Sequence, residues 1–337
     1  MSRIDELLKR ARRRRLDLVL VTREANIRAL TGLVCDSAIL ALAAEKTVLY
    51  TDFRYVPMVH RCAPGLAVRD IRRFGRGAAS GLRIGYEGAL PHARFLAWQK
   101  KFRRATFVDV TTDLEDLRAV KTAEEIAALR AAERLDVAIW EEAKTQFRAG
   151  MTELEMARII RRLMVEKGEG EAFPTIVCVG KNAAECHHEP DGTVWDGREP
   201  VLVDMGVKLG GVCSDLTRNI VPKRPSRAYR EAYALVERAN RAAIAAAKPG
   251  MTGRALDRVA REIIRKGGFG KCFGHSLGHG VGYEIHESPT ASKRSKAVLK
   301  AGMLVTVEPG IYLEGNLGVR IEDLVLLTES GCEVLSK

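Results

Sequence analysis

The stretch HSLGHGVGYEIHE, residues 275–287, holds three of the chain's seven histidines. His275 and His279 are four residues apart, a spacing that on a helix would place both rings on one face, as in a zinc peptidase. Glycines at positions 278, 280 and 282 oppose a helix, because each costs about 1 kcal/mol relative to alanine inside one. We therefore predict an extended, glycine-rich segment whose backbone comes close to bound groups.

Two aspartates lie within a predicted hairpin in VLVDMGVKLGGVCSDLTRNIV, residues 201–221. Gly210 and Gly211 predict its turn, and Asp204 and Asp215 fall on opposite arms. In a regular hairpin whose midpoint falls between residues 209 and 210, these aspartates would face each other with Cβ atoms about 5 Å apart. Like charges in that position are destabilising, so the pair predicts a compensating cation or a shared proton.

A second pair of acids repeats this arrangement in MLVTVEPGIYLEGNLGVRIEDLVLL, residues 303–327. Glu308 and Glu322 lie on either side of a predicted turn centred on Gly315. Two divalent cations would balance the four carboxylates, and one neutral imidazole would complete the ligand set. His279 between its two glycines is the best candidate for that imidazole. Ligands that are mostly oxygen with one nitrogen suit Mn²⁺, Fe²⁺ or Co²⁺ better than a thiolate-rich zinc site would.

The acid-bearing hairpins follow the two copies of an internal repeat. GMTELEMARIIRRLMVEKG begins at Gly150 and GMTGRALDRVAREIIRKGG begins at Gly250. Each copy reads Gly-Met-Thr, then an amphipathic helix, then Lys-Gly, and strand-like segments follow. The repeat predicts two helix–strand halves related by a pseudo-twofold axis, with a cleft between them on which both acid pairs converge.

Residues 1–118 predict a separate, small α/β domain. Helical patterns alternate there with short apolar runs of β-forming residues, at 17–21, 37–43, 46–52, 82–88 and 106–111. The helical patterns cover residues 2–15 and 91–103. Thr122 and Glu125 then form a capping box that opens a long helical pattern. The predicted fold class is α/β (α+β), with an N-terminal domain at 1–118 and a C-terminal domain at 119–337.

Composition narrows the class of protein. No apolar run approaches the ~18 residues of a membrane span, and we expect neither a membrane association nor a signal peptide, hence a cytoplasmic location. Seven cysteines without a C-x-x-C pair predict free thiols. The net charge of +12 is concentrated in residues 1–118, with 23 Lys and Arg against 13 Asp and Glu. Because no aromatic residues accompany the Arg12–Arg15 cluster, we interpret it as a solvated helix face, and we expect no nucleic-acid partner.

The ordered set of ligand candidates resembles the metal signature of the pita-bread metallopeptidases, which include methionine aminopeptidases, Xaa-Pro aminopeptidases and prolidases. The similarity covers residues of about 120–337, and its motifs are VDMG, SDLTR, HSLGHGVG, IHE, VEPGIY and RIEDLVLL. Residues 1–118, with TDFRY at 51–55, resemble more loosely the creatinase-like N-terminal domain of the Xaa-Pro members. The resemblance implies two divalent metal ions per chain, Mn²⁺ first, with Co²⁺, Fe²⁺ or Zn²⁺ as alternatives. The implied ligands are Asp204, Asp215, His279, Glu308 and Glu322.

The resemblance also implies catalytic roles. Glu308 would be both a ligand and the proton shuttle between the attacking water and the leaving nitrogen. His275 and His286 would hydrogen-bond to the scissile carbonyl oxygen and to the flanking substrate backbone. His187, in FPTIVCVGKNAAECHHEP, would stabilise the tetrahedral intermediate, and its neighbour His188 is the alternative for that role.

Two more residues are similar to substrate-pocket residues of the family, and two positions depart from it. Tyr312 would line the substrate pocket, and Arg320 would bind substrate or support a ligand. Cys186 stands where the family commonly has proline, and Tyr283 where leucine is usual. Neither departure touches a ligand position, so each bears on loop shape and substrate preference.

The expected function is that of an Xaa-Pro aminopeptidase, which removes an N-terminal residue that precedes proline. The close alternative is an Xaa-Pro dipeptidase, or prolidase, and the sequence does not separate the two. A non-catalytic binding module on the same fold is the remote alternative, because such proteins typically have broken ligand sets. The expected partner is a peptide with proline in second position, acted on by a homodimer or a higher homo-oligomer.

Overall fold

The computed structural model describes residues 2–337. Contacts divide the chain into one compact unit that ends at Arg118 and a second that begins at Ala119. The helices of the first unit are α1 (Arg3–Arg13), α2 (Glu24–Thr31), α3 (Val56–Cys62), α4 (His92–Lys101) and α5 (Thr111–Ala119). Its strands are β1 (Leu18–Val21), β2 (Ala38–Ala43), β3 (Lys46–Thr51), β4 (Ala67–Asp70), β5 (Arg83–Tyr86) and β6 (Thr106–Asp109).

The first unit is built on one mixed sheet with the strand order β4-β3-β2-β1-β5-β6. Successive side chains of a strand point to opposite faces, and β1 shows the result. Val19 and Val21 enter one hydrophobic core, whereas Leu20 enters the core on the other face. Helix α1 begins at a capping box between Ser2 and Asp5. Every strand predicted for this unit is present, and α2, α3, α5 and β4 are additional to the prediction.

The second unit carries four α-helices within residues 119–337: α6 (Ala123–Gln146), α7 (Glu153–Lys167), α8 (Arg227–Ala246) and α9 (Gly253–Ile264). The first half contributes β7 (Ile176–Val179), β8 (Val201–Met205), β9 (Lys208–Leu209), β10 (Val212–Cys213) and β11 (Leu216–Ile220). The second half contributes β12 (Gly278–Gly280), β13 (Glu287–Ala291), β14 (Leu304–Val307), β15 (Gly310–Leu313), β16 (Leu317–Arg320), β17 (Asp323–Leu327) and β18 (Cys332–Val334). The predicted capping box of Thr122 and Glu125 opens α6.

The predicted repeat is present in the backbone hydrogen bonds of the two halves. Thr152 caps α7 and Thr252 caps α9, each by accepting an amide hydrogen from the first turn of its helix. The chain before each helix also bonds to a later segment in the same way. The matched bonds are Gly150 N to Trp195 O with Gly250 N to Leu299 O, and Glu153 N to Thr193 O with Gly253 N to Ala297 O. The mixed α/β fold with a duplicated second unit is as predicted.

The first acid-bearing hairpin has a different register from the predicted one. Strand β8 pairs with β11 so that Asp204 faces Thr217. Gly210 and Gly211 have φ values of 60° and 67°, the pair of positive angles that a two-residue hairpin turn requires. The midpoint therefore lies between the two glycines, not before the first of them. The predicted direct pairing of Asp204 with Asp215 is wrong: the two are diagonal neighbours on one face of the hairpin.

The second hairpin has the register that the sequence predicts. Val307 faces Asp323 where β14 pairs with β17, and Gly310 faces Arg320 where β15 pairs with β16. The same register places Glu308 opposite Glu322, in the gap between the two ladders. An interrupted ladder at this point frees the local backbone from strand pairing on both arms.

Two further sequence expectations concern cysteines and membranes. The seven cysteines are free thiols, as their spacing predicts. Among residues 2–337, no helix is both long enough and apolar enough to cross a membrane.

A buried ion pair joins the beginning of the second unit to strand β13. Lys121 Nζ lies 2.6 Å from Glu287 Oε2, and the two side chains are 2% and 1% exposed. Glu287 also accepts the Glu284 amide at 3.0 Å. Because Glu287 directly follows His286, this pair fixes the backbone next to a predicted catalytic residue.

We expect Lys121→Met to lower the free energy of unfolding by about 3–5 kcal/mol, because it leaves the Glu287 carboxylate buried without its cation. The measurement is urea unfolding of the full chain. Lys144→Met is the matched control, since Lys144 forms a half-exposed pair with Glu141, and such pairs contribute at most about 1 kcal/mol. Equal losses in the two variants would contradict this account of the Lys121 pair.

Candidate active site

One cavity in the second unit contains every side chain that the sequence analysis assigned to a site. Its volume is about 640 Å³, within the range of roughly 300–1,000 Å³ that is usual for small-ligand pockets. The structure thus brings together residues that are up to 135 positions apart in the chain. These lining residues are His187, Asp204, Asp215, His275, His279, His286, Glu308, Tyr312, Arg320 and Glu322.

In both hairpins, the acids lie where regular strand pairing ends or is about to begin. Asp204 is near the end of β8, and Asp215 precedes β11. Glu308 follows β14, and Glu322 precedes β17. His279 is on the three-residue strand β12, which is extended rather than helical.

His279 lies among the acids. Its Nε2 is 3.5 Å from Asp215 Oδ2 and 3.5 Å from Glu308 Oε1. One potential ligand atom each from Asp215, His279 and Glu322 lie within 4.8 Å of one another. The Nδ1 atom of His279 is 3.1 Å from the carbonyl oxygen of Gly280. A hydrogen bond from Nδ1–H to that oxygen leaves the Nε2 lone pair directed at the carboxylates.

Burial and mutual repulsion oppose ionisation of the acids. Burial raises the pKa of Asp215 and of Glu322 well above the usual range, and neighbouring carboxylates raise both further. Burial also raises the pKa of Glu308 to about 8. Desolvation lowers the pKa of His279 to about 4, so its imidazole is neutral at pH 7. A site of protonated acids and a neutral imidazole is one that a cation would ionise.

The residues present fit two divalent cations. Asp204 Oδ1 is buried and has no hydrogen-bond partner among residues 2–337, and such an orphaned oxygen is costly unless a ligand satisfies it. Four carboxylates carry the charge that two divalent ions neutralise, and a neutral imidazole adds a nitrogen ligand without changing that balance. Together the two hairpins and β12 would supply the ligands of the two ions.

Supporting side chains that the sequence analysis missed hold the acids in place. Thr217, which faces Asp204, donates its hydroxyl to Glu322 Oε2 at 2.7 Å. Thr306 donates to Glu308 Oε1 at 3.2 Å. Glu133 on α6 accepts the amide of Asp215 at 3.2 Å and the hydroxyl of Ser336 at 2.6 Å.

The sequence contains a signal for the acids of α6. Glu133 and Asp136 are fully buried, and they fall on the same helix face as Leu129, Ile139 and Trp140. Charged residues at core positions of an apolar stripe are unusual unless they have partners. Such acids therefore predict a buried polar layer next to the site.

Arg320 ties one acid to the histidine side of the cavity. Its Nη2 donates to Asp204 Oδ2 at 2.6 Å, and its Nη1 donates to the hydroxyl of Tyr312 at 2.9 Å. That hydroxyl is 2.9 Å from His275 Nε2. His275 Nδ1 lies 2.7 Å from the carbonyl oxygen of Ser276, and burial lowers the pKa of this histidine to about 4. The result is a continuous chain of hydrogen bonds from Asp204 to a neutral His275.

The remaining histidines occupy two other parts of the cavity wall. The His286 ring lies against the His279 ring, with centroids 4.3 Å apart. His187 and His188 both line the cavity, and His188 Nε2 is 2.7 Å from Glu153 Oε2. Of the two departures from the family pattern, Cys186 lines the cavity, whereas Tyr283 packs in a hydrophobic cluster with Val281 and Ile285.

We expect added Mn²⁺ to raise the melting temperature of metal-free protein, because a ligand that binds only the folded state stabilises it. At a free concentration about one hundred times Kd the gain is about 2.7 kcal/mol. Differential scanning calorimetry against Mn²⁺ concentration measures it. Asp215→Asn removes a proposed ligand and should abolish most of the gain.

The matched control for that experiment is Asp191→Asn. Asp191 belongs to a second group of potential ligands with Glu153 and His188. This control should keep the full stabilisation by Mn²⁺. A normal gain in Asp215→Asn, or its loss in Asp191→Asn, would place the cation outside the hairpin site.

Comparisons with known proteins follow the same division of the chain. Residues 127–329 match the model of metallopeptidase family M24, and residues 3–120 match the creatinase/prolidase N-terminal domain. An Xaa-Pro dipeptidase of Pyrococcus furiosus is 41% identical over 75% of this chain and 73% of its own length.

Two solved structures are similar over nearly the whole chain. An Xaa-Pro dipeptidase from Bacillus anthracis has a TM-score of 0.94 at 32% identity, over 99% of this chain and 97% of its own. An X-Pro aminopeptidase from Thermotoga maritima has a TM-score of 0.88 at 32% identity, over 100% of this chain and 98% of its own. With its hairpin acids gathered at one cavity and both family models matched in order, the chain belongs to metallopeptidase family M24.

Proposed function

We propose that the protein is a metal-dependent Xaa-Pro dipeptidase, which hydrolyses the bond between an N-terminal residue and a C-terminal proline. The observation that carries a peptidase function is the convergence of four carboxylates and His279 on one cavity wall. The choice of dipeptidase is supported by relatives with that name, which include the one at 41% identity. It replaces the aminopeptidase that the sequence analysis preferred, and an X-Pro aminopeptidase remains among the similar structures.

The proposed metal ligands are Asp204, Asp215, His279, Glu308 and Glu322. When bound, two divalent cations would polarise the scissile carbonyl and make a water nucleophilic near neutral pH. Mn²⁺ is our first choice, because oxygen-rich sites with one imidazole suit it. The intact ligand set also argues against a non-catalytic binding module.

The chain's own groups would then move protons and stabilise charge. Glu308 accepts a proton from the attacking water and delivers it to the proline nitrogen as the peptide bond breaks. His286 donates a hydrogen bond to the carbonyl oxygen as its negative charge develops. His187 stabilises the tetrahedral intermediate, and His275 contacts the substrate backbone.

Arg320 is proposed to support the site indirectly. Its guanidinium donates to Asp204, to Tyr312 and to Thr217, and the residue is 3% exposed. A bidentate guanidinium holds its partners in a fixed geometry. Arg320 therefore orients Asp204 and, through Tyr312, the ring of His275.

Apolar side chains in the cavity lining suit a prolyl ring. Phe173, Pro174, Ile176 and Ile285 contribute this apolar surface. Apolar walls with a few convergent polar groups are typical of small-molecule sites.

Homodimer formation and a cytoplasmic location stay predictions.

We expect Ala-Pro to be hydrolysed with a kcat/KM at least about tenfold above that of Ala-Pro-Ala, which is about 1.4 kcal/mol of discrimination. Purified, Mn²⁺-loaded protein and chromatographic detection of released alanine measure both rates. Asp215→Ala should abolish both activities while the circular dichroism spectrum is retained. Comparable rates on the two peptides would favour an aminopeptidase, and no cleavage of either would refute both functions.

We expect Tyr312→Phe to lower kcat/KM about fivefold, because the substitution removes the hydroxyl that links Arg320 to His275 and one hydrogen bond contributes about 1 kcal/mol. Steady-state kinetics on Ala-Pro measure the effect. Tyr283→Phe is the matched control, because Tyr283 lies outside the cavity lining. An unchanged rate in Tyr312→Phe would show that the hydroxyl does not support His275.

A further inference from the structure

A buried glutamate at the start of α7 is saturated by donors from outside its helix. Glu153 is the first residue of α7, and it is fully buried. Its Oε1 accepts the Val179 amide at 2.6 Å and Asn182 Nδ2 at 3.0 Å. Its Oε2 accepts the Asp191 amide at 3.1 Å and lies 2.7 Å from His188 Nε2. Both oxygens thus have two partners each.

All four donors belong to one segment, residues 179–191, and this segment carries His187. The neighbours of His187 are fixed on both sides. The carbonyl oxygen of Cys186 is 3.5 Å from Arg320 Nη1, and His188 is held by Glu153. The backbone at His187 is therefore clamped between a residue that bonds to Asp204 and the start of α7.

The second half of the duplicated unit shows what this glutamate adds. Gly253 is the counterpart of Glu153, because the two amides make matched hydrogen bonds. A Cβ at Gly253 would overlap the carbonyl oxygen of Thr290, so strand β13 passes directly over the helix start. In the first half, a glutamate side chain stands at this position and reaches the end of strand β7 and the segment that follows it.

A cation is not needed to explain the cluster of Glu153, His188 and Asp191. Their potential ligand atoms lie within 4.8 Å of one another, but a metal ion would have to displace a donor from a Glu153 oxygen that already has two partners. Ionised carboxylates with several N–H donors are already satisfied in a buried setting. The cluster is an anchor made of hydrogen bonds.

We infer that Glu153 and His188 are positioning residues, which hold the loop 179–191 so that His187 faces the reacting peptide. The inference deepens the proposed function and rests on it for the role of His187. It also chooses between the adjacent histidines: His187 acts on substrate, and His188 acts through the loop. Misplacement of a catalytic group by about 1 Å can cost about a hundredfold in rate.

The first test uses steady-state kinetics on Ala-Pro with full-length, metal-loaded variants. In Glu153→Gln, the amide NH₂ must face a donor whichever way the side chain is oriented. Hydrogen bonds to the segment 179–191 are therefore lost while the shape of the side chain is kept. We expect kcat to fall at least about tenfold, with KM within about twofold and an unchanged metal content. Glu155→Gln is the matched control on the same helix turn, because Glu155 is exposed, and it should behave as wild type.

A second pair of variants keeps the test independent of Glu153. His188→Leu removes the donor and should reproduce the loss in kcat, whereas His188→Gln retains a donor and should restore most of it. In a His187→Ala background, Glu153→Gln should cause no further loss, since it acts through His187. An equal loss in that background, or the failure of His188→Gln to restore kcat, would overturn the inference.

A readout without turnover separates this inference from the proposed function. Long-range ¹H–¹⁵N spectra of metal-free, histidine-labelled protein report the ring nitrogens. Glu153→Gln should shift the His187 and His188 signals and leave those of His275, His279 and His286 in place. Signals of His187 that do not move would overturn the positioning role. If the wild-type protein cleaves no Xaa-Pro peptide and Glu153→Gln still causes the expected shifts, the proposed function alone is refuted.

Discussion

The structure of the second unit depends on the gathering of four carboxylates, two buried and two partly buried, at one place. Burial disfavours the charged form of an acid and like charges repel, and the raised pKa values of Asp215, Glu308 and Glu322 express both costs. Without compensation, each buried ion would cost several kcal/mol. The surrounding groups reduce this cost: Arg320 neutralises Asp204, Thr217 donates to Glu322, and His279 stays neutral. The orphaned oxygen of Asp204 marks where protein groups alone do not suffice.

Residue types and their order in the chain were enough to predict that the four acids and His279 share a cavity. Acids in otherwise apolar hairpins are conspicuous, and the repeat of Gly-Met-Thr predicted that two such hairpins belong to one duplicated unit. The register of the first hairpin was not predictable to the residue, because it depends on which two residues occupy the positive φ region of the turn. The predicted midpoint lay one position too early, so the prediction placed Asp204 directly opposite Asp215, whereas the structure makes them diagonal neighbours.

The supporting residues were harder to predict than the ligands. Glu133 and Asp136 have a signal in the sequence, because they fall on the apolar face of α6. Glu153 is an acid at the start of a helix, where exposed acids are common, and only the three-dimensional packing shows that it is buried. The partners of these acids are backbone amides and hydroxyls of distant segments, which leave no pattern in the local sequence. Arg320 and Tyr312 were singled out only through resemblance, and their hydrogen bonds to Asp204 and His275 required the structure.

The chain of hydrogen bonds from Asp204 through Arg320 and Tyr312 to His275 has a thermodynamic consequence. A substrate group that takes His275 Nε2 away from the Tyr312 hydroxyl changes the bond that this hydroxyl shares with Arg320, and so changes the hold of Arg320 on Asp204. The free energy of peptide binding at His275 and the free energy of cation binding at the four acids are then coupled. Such coupling is reciprocal by necessity, so a bound cation alters the affinity for a peptide by the same factor by which the peptide alters that for the cation.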